Sequence, residues 1–123
     1  MTREEARKKI NPITKMDYPD ADVIRVDDTY YMISTTMHFM PGGVILRSYD
    51  LVNWEICSYV YDKLEDNVAH NLGDGKGIYG KGMWAGSLRY ANNRFYVCFS
   101  ANDTGKTYLF DAENIEGPWN RRY

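Results

Sequence analysis

The chain has 123 residues, a net charge of −2 at pH 7 and 44% hydrophobic residues, which suits one globular domain and excludes a disordered chain. The sequence has no stripe of basic residues, which argues against a nucleic-acid partner. It also has no apolar window as long as a membrane span, which argues against a membrane. The high aromatic content of 15% favours an all-β chain, an aromatic-lined ligand cleft, or both.

Residues 1–10 are predicted to be a charged N-terminal extension. Thr2 and Glu5 have the spacing of a capping box, so residues 2–9 are predicted to form a short helix. The segment lacks the apolar stretch of a secretion signal, which predicts a cytoplasmic location. In that compartment Cys57 and Cys98, which both lie in apolar runs, are expected to be reduced core residues.

Residues from about 11 to 62 predict a first unit of four antiparallel strands. The runs "DVIRV" and "TYYMIS" flank a tight turn at Asp27–Asp28 and predict a hairpin, and "GGVILRS" and "WEICSYV" predict the third and fourth strands. The glycine-rich stretch from about 62 to 82 that follows predicts a long loop.

A second unit is predicted from about residue 83 to 123. The runs "GSLRY" and "RFYVCFS" flank Asn92–Asn93, and "KTYLFD" and "WNRRY" follow them. Three aromatic pairs recur at a spacing of 65, which indicates an internal repeat: Tyr30 and Phe95, Tyr31 and Tyr96, and Trp54 and Trp119. The last pair is assigned to structure because it recurs.

The strands carry apolar residues on both faces, so each sheet is expected to be covered on both sides. This favours an all-β fold of two β-propeller blades over a two-sheet sandwich, whose outer faces would be more polar. A propeller typically needs four to eight blades. We therefore expect the chain to be an N-terminal piece of a longer protein, with open blade faces that invite self-association.

The stretch "DYPDADVIRV" places Asp17, Asp20 and Asp22 just before the first strand. They could form a solvated turn, a metal loop, or a catalytic site at a strand end. A calcium loop of the EF-hand type lacks its other ligands here, and His38 and His70 lack the paired spacing of a zinc site. The residues alone favour a turn but leave the catalytic interpretation open.

Three longer stretches carry a family resemblance. "YPDADVIRVDDTYYMISTTMHFMPGGVILRSYDLVNWEI", "GMWAGSLRYANNRFYV" and "ENIEGPW", in that order within about 11–123, resemble the first two blades of glycoside hydrolase family 43, the β-xylosidases and α-L-arabinofuranosidases. The resemblance implies a five-bladed propeller that cleaves xylose or arabinose linkages of plant polysaccharide fragments with inversion. It also implies xylo- or arabino-oligosaccharides as the carbohydrate partner.

The resemblance implies catalytic residues of three kinds: an Asp general base, an Asp that tunes it and a Glu general acid. Pro19, Asp20 and Ala21 match the family's Pro-Asp-Pro motif, so Asp20 takes the position of the general base. Ala21 departs from the second proline, which relaxes the backbone beside the carboxylate. Asp17 and Asp22 are expected to be solvated or bonded to backbone.

The resemblance also implies four substrate-binding residues. Met37, His38 and Phe39 match a stretch that lines the sugar subsites, and Trp84 matches the tryptophan of a Trp-Ala-Pro motif. Gly86 stands where that motif has proline. Core packing is the competing interpretation of Phe39 and Trp84.

The family's tuning Asp, its general acid and any channel metal, such as calcium, follow the segment that matches "ENIEGPW". The resemblance therefore places none of them in this chain, and no cofactor or metal site is expected in it. The chain alone is predicted to be inactive, since a base without an acid leaves the leaving group unprotonated. A non-catalytic pentose-binding module and a truncated product without function are the alternatives. The residues do not separate a xylosidase from an arabinofuranosidase.

Overall fold

The computed structural model describes residues 2, 13–14, 16–37, 39–62, 82–102 and 104–123. Within these ranges no helix has the length and apolar character needed to cross a bilayer. The predicted N-terminal helix and nearly all of the predicted long loop lie outside the described residues.

Among the described residues, eight strands form two four-stranded antiparallel sheets, each with its strands in sequence order, which we call blade one and blade two. Blade one comprises β1 (Asp22–Val26), β2 (Thr29–Ser34), β3 (Gly42–Ser48) and β4 (Glu55–Tyr61), and blade two comprises β5 (Met83–Ala91), β6 (Arg94–Ala101), β7 (Lys106–Ala112) and β8 (Asn120–Arg121).

Both predicted hairpin turns are present. Asp27 has a φ of 54°, and Asn92 and Asn93 have φ values of 52° and 60°. Short polar side chains tolerate this left-handed backbone, and two such residues in succession are the pattern of a type I′ hairpin turn. The predicted start of β5 at Gly86 is late, because the strand begins before a register shift between Trp84 and Ser87.

The repeat of 65 residues is visible in the strands, since the second strands of the two blades begin 65 residues apart and so do the fourth strands. Each fourth strand follows a tryptophan. The Trp54 indole N–H donates to the Leu51 carbonyl at 3.1 Å, and the Trp119 indole N–H donates to the Ile115 carbonyl at 3.3 Å. The equivalent bonds support the assignment of both tryptophans to structure.

The main core lies between the blades. One face of blade one packs on blade two through fully buried side chains, including Ile33, Ile45, Leu88, Val97 and Tyr108. Aromatic rings extend this contact. Tyr31 meets Phe95 edge-on at 5.4 Å between ring centroids, and Tyr61 stacks on Phe99 at 5.6 Å. Much of the aromatic content therefore joins the two blades.

The two faces that point away from this core differ among the described residues. On blade one a smaller cluster of Met32, Val44 and Leu46 is buried against Tyr18 and Trp54. Ile56 and Tyr59 are exposed on blade one, and Cys98 is exposed on blade two. The prediction of a core position is wrong for Cys98, because alternation along β6 turns Phe95, Val97 and Phe99 toward blade one and Cys98 away from it. Cys57 is partly buried, and burial raises the pKa of its thiol. Self-association through the open faces stays a prediction.

Gly86 of blade two lies in close contact with blade one. A Cβ atom there would lie 2.9 Å from Met83 Cε and 3.0 Å from Ile33 Cδ1, and Ile33 belongs to blade one. The absent side chain therefore makes room for the neighbouring blade.

We predict that Gly86→Ala lowers the free energy of unfolding by about 1–3 kcal/mol through overpacking. Ile33→Val removes the Cδ1 atom and costs about 0.5–1.5 kcal/mol alone. Urea unfolding of both single variants and the double variant checks this. The double variant should cost less than the sum of the singles, and strict additivity would contradict the contact.

Asp111 ties the end of the chain to blade two. Its buried carboxylate accepts a hydrogen bond from Arg122 Nε at 3.0 Å and lies 3.4 Å from Arg94 Nε. Burial raises the pKa of Asp111, but the hydrogen bonds and charges of Arg122 and Arg94 outweigh it and hold that pKa below its usual range.

The lowered pKa of Asp111 predicts a pH-dependent stability. The ionised carboxylate stabilises the fold above the unfolded-state pKa of about 3.9, and this contribution is lost as the pH falls through the lower folded-state value. Asp111→Asn should therefore be less stable than wild type at pH 7, with the difference shrinking below pH of about 4. Thermal unfolding across pH measures it, with the exposed turn variant Asp28→Asn as control. A difference that stays constant from neutral to acid pH would refute the assignment.

Candidate functional site

Asp20 lies on a loop that enters β1, the strand of blade one that packs beside β5. Two residues at the end of β2 hold this loop. Ser34 Oγ donates to the Pro19 carbonyl at 2.7 Å, and the Thr35 N–H donates to the same oxygen at 3.0 Å. Since both Ser34 and Thr35 are buried, the loop is anchored to the end of a packed strand.

The Asp20 side chain is exposed and oriented. Thr35 Oγ1 donates to Asp20 Oδ2 at 3.2 Å, and the Asp20 φ of 53° is left-handed. Aspartate is among the few residues that adopt this backbone readily. The bonds to the Pro19 carbonyl restrain the backbone next to Asp20. The result is a solvent-accessible carboxylate on a fixed loop.

The three carboxylates of the cluster have different surroundings. Asp22 Oδ2 accepts a hydrogen bond from the Leu88 N–H at 2.9 Å and one from Arg89 Nη1 at 2.8 Å, so Asp22 links β1 to blade two. The expectation of a backbone bond at Asp22 is confirmed, but the partner lies in the other blade. Asp17 is exposed.

The segment 35–39 connects the remaining predicted residues. Thr36 Oγ1 accepts a hydrogen bond from the Gly43 N–H at 3.1 Å and lies 3.7 Å from Met83 Sδ, and the Phe39 N–H donates to the Thr36 carbonyl at 2.9 Å. The Met83 N–H donates to the Met37 carbonyl at 3.1 Å. The segment thus bridges the blades.

Phe39 and Trp84 are 67% and 48% exposed, so neither ring is packed in the core that the described residues form. Phe39 lines a groove of about 400 Å³ on blade one, together with Asp17, Thr35, Thr36 and other residues. Residues 35–37 make hydrogen bonds to three of the predicted positions or their neighbours. The Thr35 hydroxyl bonds the Asp20 carboxylate, and the Thr36 carbonyl accepts from the Phe39 N–H. The Met37 carbonyl accepts from the N–H of Met83, the residue before Trp84. His38 lies outside the described residues.

Sequence reasoning missed Ser34, Thr35 and the inter-blade role of Asp22. The hydroxyl run "STT" at the end of β2 is a signal for the first two, because buried hydroxyls need partners. No local signal marks Asp22, since its partners lie 66 and 67 residues away. In the part of the chain that the structure describes, no group of three or more His, Cys, Asp or Glu side chains could hold a metal ion.

The arrangement suits proton acceptance from water. An exposed carboxylate that a hydroxyl donor holds on an anchored loop can accept a proton from water. The groove beside Phe39 includes Thr35, the partner of Asp20, but neither Asp20 nor Trp84 lines it. The family described as Glycosyl hydrolases family 43 matches residues 10–123. The chain belongs to this family.

Curated relatives of the family 43 chain include glycosidases of two kinds. A β-xylosidase of Formosa agariphila is 38% identical over 112 residues, covering 91% of this chain and 19% of the relative. A non-reducing end α-L-arabinofuranosidase of Bacteroides ovatus is 32% identical, covering 89% of this chain and 20% of the relative. The chain therefore spans about a fifth of the length of these relatives.

Solved structures agree with the family 43 assignment. A bifunctional GH43-CE protein of Bacteroides eggerthii superposes with a TM-score of 0.86 at 49% identity, over 90% of this chain and 16% of that one. A GH43 enzyme with engineered endo-xylanase and exo-arabinofuranosidase activity superposes with a TM-score of 0.82 at 31% identity, over 91% of this chain and 24% of that one. The prediction of two blades of a five-bladed propeller is confirmed.

We predict that Asp22→Ala lowers the free energy of unfolding by about 1–2 kcal/mol, because the Leu88 N–H loses its acceptor. Asp22→Asn should cost less, since an amide oxygen can accept that bond and the exposed ion pair with Arg89 is worth only about 0–1 kcal/mol. Chemical denaturation measures both variants. Asp17→Ala, from the same cluster, is the control, and equal costs for Asp22→Ala and Asp17→Ala would rule out the inter-blade link.

Proposed function

We propose that this chain supplies the general base and one wall of the sugar pocket in a family 43 glycosidase that cleaves xylose or arabinose linkages with inversion. The observation that carries the proposal is the exposed Asp20 carboxylate, which Thr35 Oγ1 orients at 3.2 Å on a loop anchored to β2. Family membership supplies the reaction class, and the names of the relatives supply both sugars.

In the proposed reaction Asp20 accepts a proton from a water molecule. The oxygen of that water forms a bond to the anomeric carbon on the face opposite the leaving oxygen, while the glycosidic carbon–oxygen bond breaks. The leaving oxygen takes a proton from a carboxylic acid that another part of the protein supplies. The two carboxyl groups stand about 6.5–9.5 Å apart in inverting enzymes, which leaves room for the water.

Thr35 favours the base in two ways. A hydrogen bond from its hydroxyl fixes the orientation of the Asp20 carboxylate, and by engaging Oδ2 it leaves Oδ1 open to water. Because the Thr35 N–H also anchors the Pro19 carbonyl, the same residue fixes the loop and the side chain.

Phe39 and Trp84 are proposed to form the apolar walls of the sugar site, with Met37 and His38 beside them. Pentose rings present C–H groups that pack against aromatic faces. The exposure of both rings supports this role. A channel metal in a longer protein stays a proposal that residues outside this chain would carry.

A second candidate function is non-catalytic binding of pentoses. It is favoured by the groove of about 400 Å³ beside Phe39, which needs no general acid to hold a sugar. It differs from the first in being indifferent to the charge of Asp20.

The test uses the chain alone and the chain fused to the later blades of the Bacteroides eggerthii relative, assayed on 4-nitrophenyl β-xyloside and α-L-arabinofuranoside. The chain alone should show no turnover, and the fusion should be active. Asp20→Asn in the fusion should lower kcat by about 10²–10⁴-fold, with little change in KM, because only proton transfer is lost.

Asp28→Asn, an exposed turn residue of blade one, is the matched control and should keep full activity. An active fusion whose kcat is unaffected by Asp20→Asn would remove the general-base assignment. Pentose binding by titration that survives Asp20→Asn, in a fusion without turnover, would favour the binding module.

A further inference from the structure

A second groove lies at the rim of the molecule, where β4 of blade one and β8 of blade two diverge. It has a volume of about 380 Å³ and lies between Tyr59, Tyr61 and Asp62 on one side and Phe110, Trp119 and Arg121 on the other. Within each blade three strand spacings, or about 14 Å, separate the outermost strand from the innermost one, which Asp20 precedes. The rim groove therefore contains neither Asp20 nor Thr35, Phe39 or Trp84, and Tyr59 is the one described residue that it shares with the groove beside Phe39.

The floor of the rim groove is rigid. Tyr61 stacks on Phe99 at 5.6 Å and on Phe110 at 6.1 Å, and both Tyr61 and Phe110 are nearly fully buried. Since these rings come from both blades, the floor is built entirely from residues that this chain contains. A floor that needs no rearrangement lowers the entropic cost of binding.

The walls of the rim groove combine aromatic faces with polar ends. The Trp119 ring is half-buried and its N–H is bonded to the Ile115 carbonyl, so its orientation is fixed. Tyr59 is 39% exposed, and Asp62 and Arg121 are exposed at the surface. Aromatic faces pack against apolar C–H surfaces, while the carboxylate and the guanidinium can bond hydroxyl groups.

The charges select among small ligands. One carboxylate and one guanidinium leave the groove without net charge, so neither a phosphate nor an amine is favoured. A neutral ligand that is flat and apolar on its faces and rich in hydroxyls at its edges suits both kinds of wall. We propose that this rim groove binds a neutral oligosaccharide at a site separate from the one that contains Asp20.

The three tryptophans of the chain make the test specific, because each reports a different place. Trp119 lines the rim groove, Trp84 lies in the candidate catalytic site, and Trp54 follows the turn before β4. The full chain is titrated with xylotetraose while the three indole N–H signals are followed by NMR. We expect the Trp119 signal to shift with a Kd on the order of 1 mM, whether or not the Trp84 signal moves.

Arg121→Ala should weaken the Trp119 response about fivefold, the effect of one lost hydrogen bond. Arg25→Ala is the matched control, since the guanidinium of Arg25 lies over the Tyr30 ring as that of Arg121 lies over the Tyr108 ring. It should leave the response unchanged. Asp62→Ala, on the opposite wall, is a second variant that should also weaken it.

Three results would overturn the proposal. The Trp119 signal could stay fixed at xylotetraose concentrations on the order of 10 mM, well above the expected Kd. Shifts could be confined to Trp84, which would leave sugar binding to the Asp20 site alone. Inorganic phosphate could shift the Trp119 signal as strongly as the sugar, which would make the groove a charge site. None of these results bears on the role of Asp20.

Discussion

The apolar contact between the two blades is the constraint on which the other features depend. Ile33 and Leu88 are fully buried in it, and the rings of Tyr31 and Phe95 extend it toward the hairpin turns. Neither four-stranded sheet could bury enough apolar surface alone, because one sheet has nothing to cover its faces. The close approach at Gly86 and the bonds of Asp22 both follow from this contact.

The candidate site inherits its geometry from the same contact. Asp20 is anchored to the end of β2, and the segment after β2 crosses to Met83 at the start of β5. The short stretch after β2 therefore holds both the loop of Asp20 and the start of β5, which carries Trp84. The proposed site thus depends on the contact between the blades rather than on either blade alone.

The sequence predicted most of the fold because β-structure leaves local marks. Runs of β-branched and aromatic residues, the Asn92–Asn93 turn and the recurring tryptophans predict the strands and the repeat. The sequence did not predict which face of a strand is buried against the other blade, so the prediction that Cys98 lies in the core is wrong. An apolar run shows that a strand is buried somewhere, but the side that is buried depends on the neighbouring blade.

The family resemblance predicts the residues of the candidate site, but it does not predict the residues that hold them in place. Family motifs contain the positions of Asp20, Phe39 and Trp84. Thr35 and Asp22 instead act through hydrogen bonds to residues that are far away in the sequence. Long-range hydrogen bonds have no local pattern, so only coordinates reveal them. The roles of the site residues stay proposals that the fusion enzyme can decide.

Exposure of Cys98 makes the open face of blade two chemically addressable. A thiol on a strand surface is alkylated when solvent reaches it and is protected when another sheet packs against it. The rate of labelling at Cys98 thus records whether that face is occupied, by a further blade or by a second molecule. Cys98 can therefore serve as a labelling probe for the face of blade two on which the next blade of a propeller would pack.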